Sequence, residues 1–521
     1  MAAVKGERRP ARHWGTALAV LVIGAFMSVL DSSIVNIAIP TLKHVFGATT
    51  LQVQWVVTIY MLVLGVVVPA TSYLADRFGP RRVYVMALMV FTVGSGLSGL
   101  AWSLPMMVVF RVFQATGGGL IMPVTMIMVY RMVPRERIGT AMGFWGLAII
   151  VAPALGPTLG GYLVQYVDWR LIFYINVPIG ILGVLLTYPL VPEFPAVKTP
   201  PFDTVGFLLM ASGLFGLLLG FSEGETWGWS SEAIVLVLTA SLFLLAMAIA
   251  WELATPHPLL NLRVFRFAAF TLSNIILSIA MVALFAGIFY IPLFLQSVDG
   301  YGALTTGLIM APSALTSAFL MPLAGRLYDR IGPRPLAIFG MTVLAYTTWL
   351  LHNITVATPP REILFWLMLR GVGIGAAMMP VTTGGMAVIP AEMLGAASAL
   401  SNIIRQVAAA FGLAILTAVL EIRAGIHAAF MAAAYTPVSA PNLKLWGQLT
   451  AILQRTGLPA GQAHRVVATT LFGEISRQAF VMGLDDTFVV TTAIGAVSVL
   501  LAFFLRRHRA SGPSPTGAAA G

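Results

Sequence analysis

Long apolar runs separated by short polar loops make up most of the chain. About fourteen of these runs reach the roughly 20 residues that a helix needs to cross a bilayer. They lie near residues 14–40, 51–72, 83–103, 105–130, 139–163, 171–191, 203–222, 232–252, 268–297, 303–325, 336–353, 361–388, 395–420 and 482–505. The pattern predicts an all-α integral membrane protein with about 14 transmembrane helices.

The chain also repeats itself. Residues 74–82 read LADRFGPRR and residues 327–335 read LYDRIGPRP. At nearly the same spacing, the tetrapeptide MPVT occurs at 122–125 and again at 379–382. Each copy holds the same place relative to an apolar run, so the sequence predicts two homologous halves in the same orientation.

This repeat predicts the domain organisation. Six spans form an N-terminal half at 14–191, and six form a C-terminal half at 258–505. Two inserted helices lie between them at 203–252, and tails lie at 1–13 and 506–521. Parallel halves of this kind bind substrate near the membrane midplane, between the two bundles.

Composition and charge place the chain in the membrane. Hydrophobic residues make up 59% of it and charged residues 9%, against about 25% charged in soluble proteins. The net charge of +11 resides in short loops, so it indicates topology rather than nucleic-acid binding. Arginine-rich loops alternate with loops that hold few cations, which predicts cytoplasmic tails and a multi-pass protein of the cell inner membrane. The absence of cysteine excludes disulfides and thiolate metal sites.

One long polar segment interrupts the second half, at 421–481. The topology predicts that it lies outside the cytoplasm, and its stretches 443–455 and 462–480 have amphipathic helical patterns. It is interpreted either as a surface cap or as a docking site for an extracytoplasmic partner.

Asp31 lies within the first apolar run, among Val29, Leu30 and Ile34. A carboxylate at the centre of a membrane helix costs about 2.5–3.5 kcal/mol to insert, so such residues usually serve function. A desolvated carboxyl group that gains water access from alternate sides could load and release a proton. The alternative is a buried carboxylate that only hydrogen-bonds a neighbouring helix.

Arg111 is the predicted partner of Asp31. Span 1 and span 4 run in opposite directions, which places the two residues at similar depth, and Gln114 lies one turn further along the fourth span. A guanidinium stays charged and favours ionised Asp31. The alternative is an arginine that only holds backbone carbonyls.

Several motifs, in order along nearly the whole chain, resemble the major facilitator superfamily, and within it the drug:proton antiporter-2 branch of EmrB/QacA-type exporters. They are LDSSIVNIAIP (30–40), LADRFGPRR (74–82), Arg111 to Gln114 as RVFQ, APALGPTLGG (152–161), WRLIFYINVPIG (169–180) and RQAFVMGLDDTF (477–488). The chain departs from the family pattern at Ser72 and Ala115, where the motifs usually have glycine.

The resemblance implies roles for these motifs. Asp31, Arg111 and Gln114 would couple protons to transport. The repeated loop motif would form a conformational gate, comprising Asp76, Arg77, Gly79, Arg81, Asp329, Arg330 and Gly332. The antiporter motif in span 5 would seal the interface between the halves and bend during switching, through Pro153, Gly156, Pro157, Gly160 and Gly161. Arg370 is interpreted as a structural remnant of the position of Arg111 in the second half.

A drug-binding cavity requires polar and aromatic residues within the spans. The candidates are Asn36, Trp55, Tyr60, Asn274, Tyr290, Gln296 and Arg405, each of which could instead serve packing or interfacial anchoring. For Arg405 the choice between binding an anionic group and anchoring a carbonyl stays open.

The sequence therefore predicts a proton-coupled antiporter that exports diverse lipophilic compounds by alternating access. It lacks a GxxxxGK[ST] phosphate loop and the enzyme motifs GxSxG and HExxH, so neither a cofactor nor enzymatic activity is expected. The expected partners are the lipid bilayer, a small-molecule substrate and protons, together with the periplasmic membrane-fusion adaptors that some relatives use. The alternatives are a dedicated exporter of one metabolite, antibiotic or siderophore, and a membrane receptor or scaffold on a transporter fold.

Overall fold

The computed structural model describes residues 14–197, 199–435 and 440–505. The helices are α1 Trp14–Phe46, α2 Thr50–Val67, α3 Thr71–Phe78, α4 Pro80–Gly99, α5 Leu104–Met132, α6 Ile138–Tyr166, α7 Leu171–Tyr174, α8 Asn176–Leu190, α9 Thr204–Trp227, α10 Glu232–Ala254, α11 Ala268–Ser297, α12 Ala303–Ile331, α13 Pro333–Leu350, α14 Pro360–Met386, α15 Leu394–Tyr435, α16 Ala440–Arg455 and α17 Ala460–Ala502. The predicted tails, 1–13 and 506–521, lie outside the described residues.

The apolar helices confirm the predicted membrane fold. Within the described ranges, thirteen helices are long and apolar enough to cross a bilayer. Helix α6 brings the number to fourteen when its two segments, Arg135–Pro153 and Thr158–Tyr166, count as one span bent by 41°. The protein is therefore an all-α, multi-pass membrane protein.

The repeated loop motif owes its form to a glycine followed by a proline. Gly79, between α3 and α4, has φ of 86°, and Gly332, between α12 and α13, has φ of 83°. This backbone region is open to glycine and costly for other residues. Pro80 and Pro333 then begin the following helices, where a missing N–H is tolerated. Both copies thus make the same sharp turn.

One end of the bundle carries most of these basic loops. Arg77, Arg81, Arg131, Arg135 and Arg330 lie at or beside the ends of α3, α5 and α12 there, and we call it the arginine-rich end. The positive-inside rule predicts that this end faces the cytoplasm.

The two halves contact each other from the arginine-rich end inward. Helices α6 and α12 approach so closely that a Cβ atom on Gly325 would lie 2.2 Å from the carbonyl oxygen of Gly139. Further along, the hydroxyl of Ser398 on α15 donates to the carbonyl of Pro123 on α5 at 3.0 Å. The bundle is closed at this end.

The inserted helix α9 also contacts both halves. Its Leu218 lies against Gly65 of α2, and its Phe221 ring lies 5.3 Å from that of Phe411 on α15. The insert is therefore packed into the bundle rather than attached at its edge.

The polar segment predicted at 421–481 is largely helical. Helix α15 continues from its span to Tyr435, and α17 runs without a break from Ala460 through the last span. No proline interrupts either sequence, and proline is the residue that most readily breaks a helix. The predicted stretch 443–455 lies within α16, whereas 462–480 is the first part of α17 rather than a separate helix.

Candidate functional site

A buried ion pair joins α1 and α5. Asp31 and Arg111 are both fully buried, with side chains 0% exposed, and Nη1 of Arg111 donates to Oδ2 of Asp31 at 2.5 Å. This is the contact that the antiparallel spans predicted. Such a pair in a low-dielectric bundle is costly to form and costly to break, because either charge alone would be stranded.

Two amide side chains complete the hydrogen bonding of Asp31. Its Oδ1 accepts from Nε2 of Gln114 at 2.8 Å and from Nδ2 of Asn176, on α8, at 3.1 Å. An ionised carboxylate only accepts hydrogen bonds. Three donors, from Arg111, Gln114 and Asn176, are thus directed at the Asp31 carboxylate.

Arg111 has partners other than Asp31. Its Nε donates to the carbonyl of Val56 at 3.1 Å, and its Nη1 also donates to Oε1 of Gln114 at 2.8 Å. Its Cζ lies 3.9 Å from the centre of the Tyr60 ring, a cation–π distance. The hydroxyl of Tyr60 donates to the carbonyl of Ser28 at 3.2 Å. Tyr60, predicted for the drug cavity, therefore belongs to the ion-pair site.

Sequence reasoning missed Asn176 and the serines behind it. Nδ2 of Asn176 also donates to Oγ of Ser95 at 3.1 Å, and Oγ of Ser98 lies 3.4 Å from Oε1 of Gln114. The available signal was a single amide within the apolar stretch INVPIG, since an amide within a span must find a partner. We call Asp31, Arg111, Gln114 and Asn176 the polar cluster.

Two atoms of the polar cluster lack a hydrogen-bond partner within the described residues. They are Nη2 of Arg111 and Oδ1 of Asn176, both buried. Buried polar atoms usually have a protein or water partner, and an exception calls for a functional explanation. A donor and an acceptor thus remain available to water beside the carboxylate.

The second half has an arginine but no matching ion pair. Arg370, on α14, is 3% exposed, and its Nη2 donates to the carbonyls of Ala283 and Leu284 on α11. Its Nη1 donates to the hydroxyl of Thr348 at 3.3 Å. Gly287 makes room for it, since a Cβ atom there would lie 2.6 Å from Cζ of Arg370. Within the described residues, no carboxylate forms an ion pair with Arg370, in contrast to Arg111.

The repeated loop motif places its two aspartates differently. Asp329 crosses between the halves and accepts from the backbone N–H of Gly139 at 2.9 Å, and from the N–H and hydroxyl of Thr140 at 3.1 and 2.7 Å. It therefore caps the beginning of α6. Asp76 instead pairs with Arg131 of its own half at 3.1 Å.

Basic residues of the gate motif also have partners in the first half. Nη1 of Arg77 donates to the hydroxyl of Tyr73 at 2.9 Å, and Arg81 pairs with Glu193 at 3.2 Å. These contacts lie on the side of the first half, whereas the three hydrogen bonds of Asp329 cross from the second half to the first.

The antiporter motif lies against α1. A Cβ atom on Gly156 would meet Oγ of Ser33 at 2.1 Å, and one on Gly160 would meet Cγ1 of Ile34 at 2.7 Å. Both contacts join the motif to α1, beside Asp31. The sealing and bending that the resemblance implies for this motif stay predictions. Gly161 has nothing within 4 Å, and Pro153 is half-buried. The side chain of Pro157 lies outside the described residues.

The structure does not bring the predicted cavity residues together. Asn36 and Gln296 are exposed, and Trp55 is half-buried. Asn274 donates to the carbonyl of Phe270 in its own helix at 2.9 Å. The hydroxyl of Tyr290 lies 2.9 Å from that of Thr417. Arg405 lies on α15, where its Nη2 donates to Oδ1 of Asn402 at 2.8 Å.

Comparison with known proteins agrees with this architecture. Residues 21–413 match the Major Facilitator Superfamily. The chain is 32% identical to the uncharacterized MFS-type transporter YhcA of Bacillus subtilis, over 97% of this chain and 95% of YhcA. It is 30% identical to the multidrug export protein EmrB of Haemophilus influenzae, over 94% of each chain. Its fold resembles the proton:xylose symporter XylE with a TM-score of 0.60 at 14% identity, covering 94% of this chain and 96% of XylE. The chain therefore belongs to the major facilitator superfamily, on the branch that includes the EmrB proteins, and it is a multi-pass protein of the cytoplasmic membrane.

Proposed function

We propose that this transporter is a proton-coupled antiporter that exports small lipophilic compounds by alternating access. The observation that carries the proposal is the buried ion pair of Asp31 and Arg111 in the membrane interior. Intramembrane carboxylates of this kind form proton relays in pumps and transporters.

Protonation of Asp31 would rearrange the polar cluster. A neutral carboxyl group no longer attracts the guanidinium, and its new O–H must find an acceptor. Arg111 would keep its bond to the Val56 carbonyl and its contact with the Tyr60 ring. The cation therefore need not be stranded when the carboxylate takes up a proton, which lowers the cost of separating the pair.

Asp31 also lies where its protonation can influence the packing of α1 on α6. Asp31 is two residues from Ser33, which packs under Gly156 at the bend of α6. Helix α6 in turn begins at the cap that Asp329 provides. A change in the packing of α1 on α6 can thus reach the interface between halves through one helix.

The gate at the arginine-rich end suits a reversible switch. The Asp329 side chain is only partly buried. Breaking one hydrogen bond in such a place typically costs about 1 kcal/mol. Three hydrogen bonds of that size can hold the end closed and still be exchanged for the binding energy of a substrate.

Methionines between the halves support a broad range of apolar cargo. A Cβ atom on Gly146 of α6 would meet Sδ of Met379 at 2.9 Å and Sδ of Met321 at 3.1 Å, and both of these residues belong to the second half. Both are buried in this conformation, and we call Met321 and Met379 the interhalf methionines. Methionine side chains adapt to different ligands, and the relative EmrB is named a multidrug export protein.

Transport into reconstituted vesicles tests the proposal. We expect the parent protein to move a lipophilic dye against its gradient when a pH gradient is imposed. Asp31→Asn should abolish this uphill transport, because the amide cannot exchange a proton, while equilibrium dye binding persists. Asp168→Asn is the matched control, since Asp168 is exposed and pairs with Arg170 at 3.8 Å. Full uphill transport by Asp31→Asn would refute the proton-carrier role, and dye flux independent of the pH gradient in the parent protein would refute antiport.

A further inference from the structure

Arg405 is a cation within a membrane span. It lies 11 positions after Leu394, the first residue of α15, or about 16 Å along the helix axis at 1.5 Å per residue. That distance is about half of a hydrocarbon core roughly 30 Å thick. An arginine at this depth is costly unless it faces a partner or a water-filled cavity.

The side chain of Arg405 faces the first half. Ser398, Asn402 and Arg405 follow one another at helical spacing along one face of α15, and the hydroxyl of Ser398 bonds to the Pro123 carbonyl across the interface. Arg405 therefore points into the space between the halves.

The Arg405 guanidinium has N–H donors that form no hydrogen bond within the described residues. Nη2 of Arg405 donates to Oδ1 of Asn402 at 2.8 Å, and Nδ2 of Asn402 is itself fixed by the Ser398 carbonyl at 2.9 Å. A guanidinium carries five N–H donors, and no carboxylate within the described ranges forms an ion pair with this one. Arg405 is also half-buried rather than sealed, so those donors remain accessible from the interhalf space.

The other two arginines within the spans are each held by several buried partners. Arg111 is fully buried against a carboxylate, and Arg370 is 3% exposed against backbone carbonyls. Arg405 has neither arrangement. Within the described ranges, its hydrogen bond to Asn402 orients the guanidinium without neutralising its charge.

We propose that Arg405, oriented by Asn402, is a subsite for the acidic group of amphipathic substrates. The class of ligand is an anion, such as a carboxylate or sulfonate, on an apolar body, and arginine binds such groups through paired N–H donors. The apolar body would lie between the halves, where the interhalf methionines also lie. This inference deepens the proposed export function and rests on it.

Equilibrium binding in neutral maltoside micelles tests the subsite without any gradient. The full-length protein is titrated with decane-1-sulfonate, which is ionised at every working pH, and with decan-1-ol, its uncharged counterpart. We expect the parent protein to bind the sulfonate more tightly. Arg405→Gln should weaken sulfonate binding by about tenfold or more, the usual loss for a hydrogen bond to a charged group, and leave decanol binding within about twofold.

Two further variants separate the effect of the Arg405 charge from a structural effect of substitution. Arg405→Lys keeps the charge and should keep much of the sulfonate preference. Arg423→Gln makes the same change elsewhere on α15, where Arg423 pairs with Asp486 at 2.6 Å, and should bind both probes as the parent does. Equal loss of sulfonate and decanol binding in Arg405→Gln would show a structural role and overturn the subsite.

The two proposals fail in different experiments. A parent protein that binds decanol as tightly as decane-1-sulfonate refutes the anion subsite, and leaves gradient-driven export of neutral or cationic compounds intact. A parent protein that prefers the sulfonate but carries no compound uphill refutes the export mechanism, while the subsite stands as a binding site.

Discussion

Arg111 and Arg370 lie in corresponding spans of the two halves, yet the halves treat them differently. Arg111 meets a carboxylate, one amide side chain, one backbone carbonyl and an aromatic ring. Arg370 meets the carbonyls of Ala283 and Leu284 and one hydroxyl, in space that Gly287 leaves open. Backbone carbonyls cannot take up a proton at any physiological pH, whereas a carboxylate can. Arg111 therefore meets a partner that can take up a proton, whereas Arg370 is held by groups that cannot.

The largest expected effect comes from removing each arginine. Arg111→Gln leaves Asp31 buried without its cation, which typically costs about 3–5 kcal/mol. Arg370→Gln leaves only neutral carbonyls unpaired, at about 1–3 kcal/mol. We expect a larger fall in the thermal unfolding midpoint of the purified protein for the first variant.

The double variant Asp31→Asn, Arg111→Gln sharpens this test. It should recover much of the stability lost in Arg111→Gln, because no buried charge remains at this site, and still lack uphill transport. Additive losses from the two substitutions would show that the ion pair is not energetically coupled, contrary to the contact that the structure has.

An intermediate effect is expected where the second half makes room for its arginine. In Gly287→Ala the new Cβ atom would lie 2.6 Å from Cζ of Arg370, and overpacking of this kind costs about 1–3 kcal/mol. Gly473→Ala, in α17 with nothing within 4 Å, is the matched control and should be neutral or slightly stabilising. Equal unfolding midpoints for the two variants would contradict the close packing of Arg370 against Gly287.

The smallest effect separates the two gate aspartates. Asp329→Asn weakens the cap on α6, whereas Asp76→Asn weakens a contact within the first half, each by about 1 kcal/mol. The chain has no cysteine, so Ser398→Cys provides a single labelling site between the halves. We expect a several-fold rise in maleimide labelling of Ser398→Cys with Asp329→Asn and a smaller rise with Asp76→Asn. A larger rise with Asp76→Asn would reverse the assignment of the interhalf contact.

Sequence patterns were sufficient for the span pattern, the fold class and the family. Their signals are local or periodic: apolar runs of bilayer length, and a repeated Gly-Pro turn whose backbone angles other residues rarely adopt. The pairing of Asp31 with Arg111 could also be predicted, because antiparallel neighbouring spans constrain depth and a buried carboxylate needs a cation.

The placement of the predicted cavity residues could not be derived from the sequence, for a physical reason. Exposed Asn36, buried Tyr290 and Tyr60 beneath Arg111 are all polar or aromatic residues within spans. Depth along a span does not reveal which way a side chain faces. The same limit hid Asn176, whose direction depends on how α8 packs against α1 and α4.

The sequence by itself determined a membrane protein of two repeated halves with one acidic group deep in its first span. Hydropathy, repeats and charge are local or periodic features that can be identified without the tertiary structure. Only the tertiary structure decided which partners each charge meets. It gave Arg111 a carboxylate, Arg370 carbonyls and Arg405 an accessible face between the halves, because those outcomes depend on helix rotation and close approach, which no single segment specifies.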